Sequence, residues 1–163
     1  MNALALASIL VLLAGAAAAA RAKSRESARR RAVGASLVAL VFGVLAASTV
    51  SAAGAPGRFV GLDGLSAPFL PFTSALVLVL VLGAPSAALS PEWAGRVLTT
   101  SAALAAFFCV RDRWLLYVLW VGSTVPTYLE LRANGRAARV FGAHRLASAL
   151  LVGVGTALAQ ANA

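Results

Sequence analysis

Two uncharged stretches flank a run of basic residues at the start of this chain, and they constrain the fold more than any other feature. Ala3 to Ala20 is 18 residues long and Ala32 to Ala53 is 22, while Arg21, Lys23, Arg25, Arg29, Arg30 and Arg31 lie between them. At about 1.5 Å per residue, each stretch covers roughly 30 Å as a helix, the thickness of a bilayer's hydrocarbon.

The rest of the chain continues the pattern. With 61% hydrophobic and 12% charged residues, it carries more apolar surface than one soluble core of this size needs, and reads as an integral membrane protein. In a soluble protein the formal charge of +9 would point to nucleic acid. Here the cations fall between apolar runs, so they are read as topology signals and no nucleic-acid partner is expected. The lone Cys109 can form no intrachain disulfide. Ala3 to Ala20 also resembles the apolar region of a secretory signal peptide, but such a peptide needs positive charge ahead of that region. Met1 to Ser8 has none.

The expectation is an all-α, polytopic six-helix bundle forming a single membrane domain over 1–163. The helices are placed at about 3–20, 32–53, 67–89, 93–110, 114–131 and 144–161, the last with a possible earlier start near Val140. Gly54 to Gly61 breaks the second helix, and Pro71 and Pro85 kink the third or trim its ends. Asp63 or Ser66 can accept hydrogen bonds from the free N–H groups of the first turn of helix three. Ser90-Pro91-Glu92 is a start signal for helix four, with Ser90 as N-cap. Arg111-Asp112-Arg113 is a polar turn before helix five, and Asn134-Gly135 is the turn in the last basic connection.

Placing the N-terminus outside puts 11 basic residues in cytoplasmic loops and leaves Arg58, Arg111 and Arg113 on the outer side. This is the direction that orients multi-pass proteins in a cell inner (plasma) membrane.

Motifs for chemistry are sparse. The chain has no Gly-rich phosphate loop or cysteine pair, and its one histidine, His144, sits at the edge of helix six. No catalytic, cofactor-binding or metal-binding residue is assigned, and no cofactor is expected. The tryptophans and tyrosines fit interfacial anchoring, and the abundant Gly and Ala fit close helix packing. Of the acidic residues only Glu130 falls within a membrane run. It lies beside Arg132, where it snorkels or pairs, or acts as a proton relay. Pro126 cannot donate to the carbonyl of Gly122, so helix five can bend there, with Ser123 or Thr124 compensating.

Asp63-Gly64-Leu65-Ser66 ahead of an apolar run resembles the segment that opens the third membrane helix of the antiporter-like proton-channel subunits of respiratory complex I (NADH-quinone oxidoreductase), subunit M type. Related subunits occur in membrane-bound hydrogenases and Mrp-type cation/proton antiporters. Asp112 to Trp120 (DRWLLYVLW), then Pro126-Thr127-Tyr128, resembles the family's fifth helix, and 136–155 its sixth. The resemblance implies helices one to six of a fourteen-helix family. The family's essential glutamate would follow the tryptophan, where this chain has Val121. Glu130 lies about 13 Å further along the helix axis and on the opposite face, so it does not replace that acid. The broken seventh helix and its lysine lie beyond the sequence.

These departures lead to the expectation of a non-catalytic scaffold subunit, packed in the bilayer against other membrane subunits of a complex-I-like redox-driven or ion-translocating complex. The alternatives are half of a split proton/cation transporter, whose partner chain supplies the remaining helices and ionisable residues, and a free-standing small membrane protein. Asp63, Gly64, Ser66 and Pro126 are assigned structural roles.

Overall fold

A computed structural model describes residues 3–50, 61–132 and 135–161, without the side chains of Pro126, Glu130 and 159–161. The described residues are almost wholly helical and contain seven α-helices: α1 (Ala3–Ala20), α2 (Arg25–Thr49), α3 (Phe69–Gly83), α4 (Pro91–Cys109), α5 (Arg113–Ser123), α6 (Val125–Leu131) and α7 (Gly135–Ala161). Among them α1, α2 and α7 (over Gly135–Leu158) are long and apolar enough to cross a membrane, by length and composition. The chain divides into two compact units, Met1–Val110 and Arg111–Ala163.

The first unit is a four-helix assembly in which α1 packs against α2 and α4, and α2 against α3. Its core combines many small residues with a few large ones, Leu12, Leu70, Val81 and Leu98. In α2 the buried positions are Ala28, Ala32, Ser36, Ala39, Gly43 and Ala46, spaced by three or four, and in α1 they are Ala5, Ser8, Leu12, Ala16 and Ala19. That spacing keeps one narrow stripe on one face of each helix. Glycines set the closest approaches. A Cβ at Gly15 would collide with the Cβ of Ala35, one at Gly43 would stand 3.1 Å from Pro71 Cα, and one at Gly95 would stand 2.9 Å from Ala20 Cβ. Ser8 Oγ, fully buried, donates to the Ala39 carbonyl at 2.9 Å and ties α1 to α2.

Many other large side chains face outward. Leu10, Val41, Phe72 and Val79 are each about 60% exposed. A soluble bundle places most such residues inside, whereas an exterior so rich in Leu, Val and Phe suits surroundings as apolar as the side chains.

Several helix bounds differ from the sequence expectation. α2 begins at Arg25 rather than near Ala32, because Ser24 Oγ accepts the Ser27 N–H at 3.2 Å and starts the helix inside the basic stretch. The expected end near Ala53 lies outside the described residues. α3 stops at Gly83 rather than Leu89, because Pro85 excludes helical geometry from the preceding residue and Ala84 is extended at φ −65°, ψ 130°. Pro71 falls in the first turn of α3, where a missing N–H costs no helical bond. α4 starts as expected, with Ser90 Oγ accepting the Trp93 N–H at 3.1 Å. It has the length of a span, but its first turns carry Glu92 and Arg96.

The second unit holds α5, α6 and α7. Asp112 Oδ1 accepts the Leu115 N–H at 2.8 Å and caps α5. The fifth helix, expected over 114–131 with a bend near Pro126, is broken at Thr124, two residues before Pro126. Thr124 N–H pairs with the Val121 carbonyl in a tight turn, so the Trp120 carbonyl takes the Ser123 hydroxyl at 2.7 Å instead. The Thr124 hydroxyl donates to Val121 O at 2.7 Å, so the two hydroxyls expected to serve the Gly122 carbonyl go instead to the carbonyls of Trp120 and Val121, each three residues back. α7 starts at Gly135, well before His144, since the Arg- and Ala-rich stretch is itself a good helix former. Asn134 lies outside the described residues. Two tyrosines seat on glycines of α7: Tyr117 Oη lies 3.2 Å from a Cβ position at Gly153, and the Tyr128 ring 3.3 Å from one at Gly142.

Candidate functional site

Among the described residues, three places concentrate polar chemistry. The first is the turn before α3. Asp63 Oδ1 accepts the backbone N–H of Leu65 at 3.1 Å and of Ser66 at 2.7 Å, while Ser66 Oγ accepts the Asp63 N–H at 3.0 Å. The two side chains thus bridge each other's backbone, the reciprocal arrangement of a capping box. The bonded turn runs straight into α3, whose own N-cap position, Pro68, has no side-chain cap, so Asp63 and Ser66 brace the turn before α3 rather than its first helical turn, a departure from the sequence expectation. The preceding segment is held by Gly61 N–H donating to the Cys109 carbonyl at 2.9 Å, and the Phe69 ring stacks on Phe108 at 4.7 Å. Gly64 has no positive φ, and a Cβ there would meet nothing within 4 Å, so the backbone does not require glycine at this position.

The second place is the basic end of the first unit. Arg31 Nη1 donates to Ala18 O at 2.7 Å, Arg29 Nη2 to Leu82 O at 2.6 Å, and Arg25 Nη1 to Ser86 O at 3.5 Å. Ala18 and Leu82 lie in the last turns of α1 and α3, where carbonyls lack intrahelical donors and the helix dipole favours cations. Arg30 pairs with Glu26 on the surface of α2. These arginines therefore tie helix ends together, a role that charge counting alone did not indicate.

The third place is a groove of about 220 Å³ within the second unit, between α5–α6 and α7. Val121, the position at which the family resemblance would place a glutamate, lines it along with Trp120, Val125 and Tyr128. Arg145 lines it from α7, its guanidinium 5.4 Å from the centre of the Phe141 ring. The side chain of Glu130, the candidate relay, lies outside the described residues, although its backbone is in α6.

Several hydroxyls along the helices are satisfied locally. Ser36, Thr73, Ser101, Ser148 and Thr156 each donate to the carbonyl four residues back. Among the described residues no buried side-chain nitrogen or oxygen lacks a partner, and no three His, Cys, Asp or Glu residues group as a metal site would require. The chain matches no known protein-family model, no curated protein and no solved structure.

Proposed function

We propose that this chain is a non-catalytic integral membrane subunit that packs laterally against other membrane subunits of a complex-I-like, redox-driven or ion-translocating complex, as a degenerate antiporter-like scaffold. The observation that carries this reading is the coverage of the second unit. Among its described residues only Ala138 is buried, while Leu146, Leu150, Leu151 and Val154 of α7 are all exposed. Helices with so little core of their own are stable where lipid or neighbouring helices cover them.

Six membrane crossings follow in this reading. α1, α2 and α7 are full spans. α4 runs beside α1, α3 is completed by the capped turn before it, and α5 with α6 forms one broken span. The N-terminus lies outside, and the basic segments 21–31 and 132–145, the latter including the first turns of α7, lie at the cytoplasmic side of the plasma membrane. An apolar residue, Val121, at the position where the family resemblance would place an acid supports a scaffold rather than a conducting path, since a proton path through hydrocarbon needs ionisable or hydrated groups.

Purification from gently solubilised membranes tests this reading. Recovery with quinone-reductase or hydrogenase membrane subunits is the expected result. Recovery with a single chain that supplies further ionisable helices would make the protein half of a split transporter. Recovery alone would refute the scaffold.

A further inference from the structure

The groove between α5–α6 and α7 combines features that the scaffold reading leaves unused. Its walls are largely carbon, two aromatic residues with polar tips line it, and one cation, Arg145, stands on it. Arg145 also marks a change of character along α7. Arg136, Arg139 and Arg145 occupy its first eleven residues, and the helix is apolar from Leu146 through Leu158.

We propose that this groove holds part of one acyl chain of an anionic phospholipid, with the lipid phosphate on Arg145. Size supports a chain segment rather than a whole molecule, because sites that enclose an entire small ligand run to about 300–1,000 Å³ and this groove is about 220 Å³. A ligand seated here therefore leaves its head outside, and Arg145 is the cation that meets it. An anionic phospholipid carries negative charge and hydrocarbon in that same order. A zwitterionic lipid brings an ammonium group as well, which weakens its claim on a guanidinium. Trp120 and Tyr128 are the residue types that settle at the border between hydrocarbon and head groups. The inference rests on α7 crossing a bilayer and is independent of which complex the chain joins.

The full chain carrying Trp93→Phe and Trp114→Phe leaves Trp120 as the only tryptophan, lining the groove. Reconstituted in phosphatidylcholine vesicles with small fractions of bromine-labelled lipid, Trp120 should be quenched preferentially by bromo-phosphatidylglycerol over bromo-phosphatidylcholine. The expected preference is about fivefold, the equivalent of about 1 kcal/mol for one arginine at an anionic head group. Arg145→Gln should remove the preference, and Ala149→Phe, which fills the groove, should reduce quenching by both lipids while circular dichroism stays helical. Equal quenching of the unsubstituted groove by the two lipids, or a preference that survives Arg145→Gln, overturns the proposal. Absence of quenching by either lipid overturns it too, and points to a protein helix as the occupant. A chain that stays in the aqueous phase would instead overturn the membrane reading itself.

Discussion

Arg29 of α2 reaches across to α3 and donates from Nη2 to the carbonyl oxygen of Leu82 at 2.6 Å, closing a helix end 53 residues away in sequence. Arg31 does the same for Ala18 at the end of α1. The start of α2 thus holds the ends of two of the helices packed beside it.

Arg29→Ala should lower the thermal stability of the detergent-solubilised protein by about 1 kcal/mol, since a charged donor is lost from a helix C-terminus. Arg30→Ala removes only an exposed pair with Glu26 on the same helix, and should cost less than about 0.5 kcal/mol. Equal effects in thermal unfolding would show that the carbonyl contact contributes nothing.

Gly15→Ala and Gly34→Ala form a matched pair. The first places a Cβ against Ala35 where α1 and α2 touch, and the second meets nothing within 4 Å. Gly15→Ala should destabilise by about 1–3 kcal/mol through overpacking. Gly34→Ala should be neutral or stabilise by up to about 1 kcal/mol by raising helix propensity. The measurement is the unfolding midpoint of each variant in one detergent.

Much of the first unit is legible from residue order. α1 runs over Ala3–Ala20 as its uncharged stretch indicates, Ser90 caps α4, and Pro85 trims α3. The starts of α2 and α7 are not, because hydropathy marks where a helix leaves lipid and not where its hydrogen bonds begin. Ser24 caps a helix that starts among arginines, and Gly135 opens another. The arginine contacts with Leu82 and Ala18, and the meeting of Val121 with Arg145 on one groove, depend on which helix faces lie together. Charge counting and motif spacing contain no information about that register.

In the turn before α3, Asp63→Ala should cost about 1 kcal/mol, since it removes the acceptor of two backbone N–H groups. Asp63→Asn keeps an oxygen at the accepting position and should cost less. Gly64→Ala should be tolerated, because neither φ nor a close neighbour demands glycine. Loss of turnover in a normally assembled complex carrying Asp63→Asn would assign Asp63 a chemical role instead.

Cysteine labelling tests the proposed orientation with little background, because Cys109 is 1% exposed and is the chain's only cysteine. Lys23→Cys and Arg132→Cys should both resist an impermeant maleimide applied outside intact cells and react after permeabilisation. Labelling of either from outside would reverse or break the layout, while Cys109 should react only after unfolding.

The final prediction concerns proton movement, where the family resemblance and the residues lead in opposite directions. The resemblance implies a channel, and a channel through hydrocarbon needs ionisable or hydrated groups at mid-membrane. Val121 instead contributes a branched apolar side chain to a groove wall shared with Val125 and Leu146. The hydroxyls of Ser123 and Thr124 nearby are engaged by carbonyls one turn back, so neither offers a free relay. The chain reconstituted alone in vesicles should therefore dissipate an imposed pH gradient no faster than empty vesicles. Glu130→Gln in the assembled complex should leave pumping nearly unchanged, as the only acidic residue within the proposed spans past α4 lies near one end of its helix. Val121→Glu supplies the missing acid without a partner lysine, and should likewise fail to create a leak. A fast leak that disappears with Glu130→Gln would mean that this chain conducts protons by a route of its own, and the scaffold function would be wrong.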